Sequence, residues 1–173
     1  MAIDGVGGVH LTYSVTGMFN TTLGYAYRAP GGSFVTEVIE NSSTTHPWTS
    51  IALDGAGGVH VSYAHWNGLQ YATKPPGGAW STSYVAGGNY VESDIVVDPA
   101  GTVHISYYDD KFGVRDLRYA RKPAGLSFTT QAVDTPSEVG RENHIALEAS
   151  GRLQVTYYDS THLRIRHAFR CAD

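Results

Sequence analysis

Short runs in which apolar and polar residues alternate, each bounded by glycine, proline or aspartate, follow one another along the chain and read as β-strands joined by turns. They recur in a fixed order. The phrase Ile51-Ala-Leu-Asp-Gly-Ala-Gly-Gly-Val-His-Val-Ser-Tyr63 has counterparts starting at Met1, Ile95 and Ile145, at successive offsets of 50, 44 and 50 residues. A second phrase, Leu69-Gln-Tyr-Ala-Thr-Lys74, matches residues 23–28, 117–122 and, more distantly, 165–170. A third, Gly77-Gly-Ala-Trp-Ser-Thr-Ser-Tyr-Val85, matches residues 31–39 and 125–133, and the fourth copy stops before it.

Each full unit therefore carries four strands, A (51–54 in the second unit), B (59–63), C (69–74) and D (80–85). Four short strands in a unit of about 45 residues predict a blade of a β-propeller, a fold that stacks four-stranded antiparallel sheets around a channel. The expected chain is all-β, a single domain with blades at about 1–50, 51–94, 95–144 and 145–173. The A–B connections, Asp4-Gly-Val-Gly7, Asp54-Gly-Ala-Gly57, Asp98-Pro-Ala-Gly101 and Glu148-Ala-Ser-Gly151, suit a tight turn whose last glycine takes positive φ. Alternation in B sets Val59, Val61 and Tyr63 on one face and His60 and Ser62 on the other, and both faces must pack because a blade lies between neighbours.

These repeats resemble the propeller repeats of bacterial surface and secreted proteins in the broad sialidase-like neighbourhood of BNR, or Asp-box, propellers. The resemblance covers the whole chain and implies the propeller fold. An Asp box reads Ser-x-Asp-x-Gly-x-Thr-Trp, whereas this chain has Asp98-Pro-Ala-Gly-Thr-Val-His104, so true Asp boxes are lacking. The fourth unit lacks its D strand, giving 15 of 16 strands. Three completions follow: a four-bladed ring with a three-stranded last blade, two chains in one eight-bladed ring, or a piece of a longer propeller. An unclosed wedge exposes apolar blade faces, which favours a homo-oligomer, most simply a dimer.

Composition adds exclusions. Twenty glycines and twelve tyrosines against three lysines disfavour a helical bundle. Sixteen acids against twelve bases, a formal charge of −4, leave no electrostatic footprint for nucleic acid, and no apolar run approaches membrane-spanning length. No signal peptide is legible in the sequence, although its Ser, Thr, Gly and Tyr content leans towards an extracellular setting. The single cysteine, Cys171, excludes an internal disulfide.

The A–B and C–D turns emerge on one side of the disc and are uniform, while the B–C and D–A connections on the other side vary and contain Phe19, His46, Trp48, Trp66, Tyr90, Asp110, Lys111 and Arg115 among others. The expected ligand-binding residues on this second face are Trp48, Trp66, Tyr108, Asp109, Arg115, Tyr158 and Asp159. The Tyr-Tyr-Asp segments 107–109 and 157–159 pair an aromatic plane with a carboxylate, which suits a sugar. No metal or other cofactor is expected. His10, His60 and His104 recur one per blade, about 10 Å apart, too far to share a zinc ion, and each is expected to hydrogen-bond a backbone group or hydroxyl between blades. Asp4, Asp54 and Asp98 read as turn residues, not as a calcium loop. No nucleophile with a base at recognisable spacing is present, so no catalytic residue is named. The reading is a non-catalytic propeller module for binding and assembly, with glycans as ligand. A sialidase-like glycoside hydrolase fragment and a structural, self-assembling fragment without ligand are the alternatives.

Overall fold

The computed structural model describes residues 1–171 except 19, 43, 44, 89, 90, 112 and 136, with residues 45–47, 111 and 114 described in backbone alone. Phe19, Tyr90 and the side chains of His46 and Lys111 lie outside the described residues. Fifteen strands fall into four antiparallel sheets with no helix among the described residues. Blade one holds β1 (Ala2–Ile3), β2 (Val9–Thr16), β3 (Thr21–Arg28) and β4 (Val35–Ser42). Blade two holds β5 (Thr45–Leu53), β6 (Val59–His65), β7 (Gly68–Lys74) and β8 (Ser81–Ala86). Blade three holds β9 (Ser93–Val97), β10 (Val103–Lys111), β11 (Val114–Lys122) and β12 (Thr129–Asp134), and blade four only β13 (Val139–Leu147), β14 (Leu153–Asp159) and β15 (Arg164–Arg170). Strands pair in sequence order within each sheet, and among the inner strands β9 touches both β5 and β13. The fold is therefore the all-β propeller arc read from the repeats.

The turns follow their residues. Gly7, Gly57, Gly101 and Gly151 close the four A–B turns at φ between 78° and 89°, a region a β-carbon would strain. In the first three, the aspartate caps the turn from within. Asp54 Oδ1 accepts the amides of Ala56 (2.9 Å) and Gly58 (2.7 Å). Its other oxygen accepts from His60 Nε2 (3.0 Å), and the imidazole's Nδ1 meets Tyr71 Oη (2.6 Å). An ionised carboxylate only accepts, so the proton sits on Nε2 and the tyrosine donates to Nδ1. The same Asp–His–Tyr chain recurs as Asp4–His10–Tyr25 and Asp98–His104–Tyr119. In blade four all three members change and the contacts persist: Gln154 donates to Glu148, and His167 donates to Gln154.

Apolar clusters fill each gap between consecutive blades: Leu23 and Tyr25 against Val61 and Tyr63, Leu69 and Tyr71 against Ile105 and Tyr107, and Leu117 and Tyr119 against Val155 and Tyr157. Burial of these side chains is the main stabilising term, since both faces of an inner blade leave water. Polar bonds repeat at the same interfaces near the inner strands. Thr49 donates to Thr12 (3.2 Å), Ser93 to Ser62 (3.0 Å) and Ser106 to the Asn143 carbonyl (2.5 Å), each joining an inner strand to strand B of the preceding blade. Among the described residues no apolar cluster joins blade four to blade one.

The inner strands and the B–C hairpins run further than their phrases. β5 begins at Thr45 and β13 at Val139, and β10–β11 pairing continues through Asp110↔Arg115 to Lys111↔Val114. Trp48, Tyr108, Asp109, Arg115, Tyr158 and Asp159 thus belong to strands and not to loops. The ladder continues because Tyr108 and Leu117, facing each other, are both fully buried, and Gly113 at φ 83° lets the chain reverse tightly.

Candidate ligand-binding site

Three residues before each repeated isoleucine, the inner strands of blades two, three and four present equivalent triplets: Trp48-Thr49-Ser50, Glu92-Ser93-Asp94 and Glu142-Asn143-His144. Together they line one cleft of about 320 Å³. Trp48 is 48% exposed and His144 is exposed beside it in the same cleft, while Ser50, Glu92 and Asp94 form its half-buried floor.

The floor is held by bonds that cross blades. Asp94 Oδ1 accepts from Ser50 of blade two (2.5 Å), and Oδ2 accepts the Ile145 amide of blade four (3.0 Å) with His144 Nδ1 at 3.5 Å. Buried Asn143 donates to the carbonyls of Glu92 (3.2 Å) and Gly140 (3.0 Å) while accepting from Ser106. Glu92 accepts the Glu142 amide (2.6 Å) and faces Arg141 (3.5 Å). Glu142 sits at φ 49°, a left-handed conformation uncommon for a residue with a β-carbon, at the point where β13 loses regular register with β14. Non-glycine backbone held this way at a cleft marks a place the surrounding contacts over-determine.

Arg141 continues the polar belt outward. Its guanidinium lies 4.7 Å above the Tyr108 ring, a cation–π distance, and its Nε donates to Glu138 (3.0 Å). Arg115 holds the other Glu138 oxygen (2.6 Å) and approaches Asp110 (3.6 Å). The two arginines keep the Glu138 carboxyl below the usual carboxylate range against the opposing effect of burial, and burial pushes the Tyr108 phenol up to about 12.

The seven expected residues divide as follows. Tyr108 and Arg115 meet through Glu138, and Tyr158 lies opposite Arg141 in the β13–β14 ladder at the same rim. Trp48 is in the cleft, whereas Trp66 stands exposed at the β6–β7 turn beside His65 (ring centroids 6.2 Å). Asp109 is buried with Arg118 at 3.6 Å. Asp159 is fully buried and bound by His162 (2.9 Å) and Arg164 (3.3 Å). Side chains sealed in this way support the face and do not present themselves to solvent. Glu92, Asp94, Asn143 and His144 went unnamed in the sequence, although their constant offset from the repeated isoleucines was visible there.

Four antiparallel sheets in chain order, with neighbouring inner strands in contact, define the class of fold as a β-propeller. Solved structures agree on the class. The intramolecular trans-sialidase from Ruminococcus gnavus, in complex with oseltamivir carboxylate, is similar at TM-score 0.57 and 17% identity over 86% of this chain and 38% of that one. A fucose lectin from Kordia zhangzhouensis, in complex with methyl-fucoside, is similar at TM-score 0.55 and 15% identity over 77% of this chain and 96% of that one. The leech intramolecular trans-sialidase, complexed with 2,7-anhydro-Neu5Ac, matches at TM-score 0.55 and 16% identity over 90% of this chain and 30% of that one. The chain thus spans less than two-fifths of each trans-sialidase and nearly all of the lectin's length. No protein-family model and no curated protein matches the sequence.

Proposed function

We propose that the chain is a non-catalytic propeller module that binds carbohydrate on its variable face and assembles with a second copy of itself. The observation that carries the first half is the cleft under Trp48: an exposed indole plane beside an imidazole and the exposed Glu142 carboxylate, the pairing that covers sugar C–H groups while accepting hydroxyl protons. A fucose lectin of this fold supports the same reading. On a glycan array the chain is expected to bind a defined set of sugars, and Trp48→Ala is expected to weaken the best of them about tenfold, the loss of one ring contact. An array without a binder overturns the reading.

The trans-sialidase neighbours raise the hydrolase alternative. Against it, Asp94 has both oxygens committed to neighbouring blades and Glu92 is held by the Glu142 amide and Arg141, so neither is poised as an acid or nucleophile. Release of a fluorescent leaving group from aryl glycosides would restore the enzyme.

The second half rests on the two ends of the arc. Strand-C Leu23, Leu69 and Leu117 are at most 1% exposed between blades, yet Ile165 at the same position of blade four is 70% exposed. Strand-B Tyr63, Tyr107 and Tyr157 are at most 3% exposed, yet Tyr13 of blade one is 37% exposed, with Ile3 and Val15 open beside it. Each end is one half of the interface that occurs three times inside the chain, so a second copy joined head to tail supplies the other half. Two copies joined at both junctions make the simplest closed ring. Light scattering is expected to give about twice the 18.7 kDa chain mass, and a mass of one chain overturns it.

A further inference from the structure

The cleft under Trp48 carries charge of one sign. Glu92, Asp94 and Glu142 line it, and among the described residues neither a lysine nor an arginine does. The bonds that fix its floor leave that charge in place, because most of their donors are neutral. Asp94 accepts from the Ser50 hydroxyl (2.5 Å) and from the amides of Ile95 (3.0 Å) and Ile145 (3.0 Å). Glu92 accepts the Glu142 amide (2.6 Å). Two basic groups oppose the carboxylates, and neither matches them. Arg141 meets Glu92 at 3.5 Å while giving its Nε to Glu138, and His144 Nδ1 stands 3.5 Å from Asp94. Glu142 itself is exposed, in the same cleft as the exposed Trp48 indole. A cleft lined by one sign of charge focuses its field on whatever enters.

We propose that this cleft takes a sugar carrying a free, positively charged amine and discriminates against acidic sugars. The inference rests on the carbohydrate reading of the cleft and names the class of sugar. An ammonium group engages both exposed elements at once. The face of an indole attracts a cation through its ring quadrupole within about 6 Å of the ring centre. A carboxylate such as Glu142 pairs with the ammonium by a charge-assisted hydrogen bond, stronger than the bond it accepts from a sugar hydroxyl. Asp94 and Glu92, fixed by neighbouring blades, act through their field and not by contact. An acetylated amine is neutral and gains none of these charge interactions. The carboxylate of an acidic sugar meets three groups of its own sign.

The probes are methyl glycosides of glucose, galactose and mannose configuration, each as the 2-amino-2-deoxy sugar, the 2-acetamido-2-deoxy sugar and the uronic acid. The forms of one configuration share a ring and differ in charge. They are titrated into the full chain by calorimetry or NMR shift changes at pH 6.5, where the free amine is protonated. In at least one configuration the amino form is expected to bind saturably and at least tenfold more tightly than its acetamido partner, with the uronic acid weakest. The preference is expected to shrink as salt rises from about 0.05 M to about 1 M, where the screening length falls to about 3 Å. Glu142→Gln is expected to reduce the ratio of amino to acetamido affinity at least threefold. No saturable binding by any amino form, equal or tighter binding by the acetamido or acidic partner, or a preference untouched by both salt and Glu142→Gln overturns the inference. If acetamido sugars bind and lose affinity in Trp48→Ala while the amino forms show no preference, the charge assignment fails and the carbohydrate reading stands. If no sugar of any charge binds here or on the array, both fail.

Discussion

Leu69→Ala is expected to destabilise the chain by about 2–5 kcal/mol, whereas Ile165→Ala, at the same repeat position, changes stability by about 0.5 kcal/mol or less in dilute solution. Leu69 is fully buried among Tyr71, Val91, Ile95 and Ile105, so truncation leaves a cavity in a rigid interblade contact. Ile165 faces solvent across the open end of blade four, and its truncation removes little that is buried. Urea unfolding at low chain concentration measures the contrast. The same pair separates folding from assembly: at high concentration Ile165→Ala is expected to lower the fraction of dimer seen by light scattering, while the dimer fraction of folded Leu69→Ala is unchanged. A large loss from Ile165→Ala in dilute monomer would mean that the end face is covered within a single chain.

How far the fold could be read in advance follows from the range of the forces involved. The strand order and all four A–B turns were legible because hairpins are local: a glycine three residues after the acid in all four, and in three of them an aspartate that caps its own turn, specify the reversal without help from elsewhere. The histidines were expected to bond a backbone group or hydroxyl between blades; the hydroxyl is there, but it is the strand-C tyrosine of the same blade, and the aspartate at the other ring nitrogen, six residues earlier across the turn, was not foreseen. A clue existed in the fourth repeat, where acid, histidine and tyrosine change together to Glu148, Gln154 and His167. The site was less legible. Trp48 could be picked out as a large aromatic in a variable segment, but Asp94, Asn143 and Glu92 are defined by bonds to blades 44 to 51 residues away in sequence, and a pattern within one repeat does not encode those. Tyr108 and Asp159 read as rim residues because strand ends are set by pairing, and their burial depends on Arg141 and on Arg164 and His162 coming over them.

Acid is expected to unfold the protein in two stages, the upper set by His104 and the lower by the turn aspartates. Burial holds the His104 imidazole below its ordinary value of 6.5, with Asp98 opposing and Arg121 and Arg170 adding to the shift. The unfolded chain therefore takes up that proton first, so the stability contributed by neutral His104 is full above about pH 6.5 and is lost as pH falls through the lowered folded value. The carboxylates follow. Asp4 is held below 3.8 by the Gly8 amide, with His10 and Val6 assisting. Asp54 and Asp98, in spite of burial, are held there by bonds from His60 and Gly58 and from Thr102 and His104. Their contribution is present above pH 3.8 and disappears as pH falls through the depressed folded values. Asp98→Ala removes the acceptor of a buried imidazole N–H and of the Thr102 amide, for an expected loss of about 1–3 kcal/mol at pH 7. His104→Gln places in blade three the residue that blade four already carries, and it is expected to keep the lower stage while flattening the upper one. Denaturant midpoints measured from pH 7.5 to 3 read both stages, and a His104→Gln profile with an unchanged slope between pH 6.5 and 5 would move the origin of the upper stage away from His104.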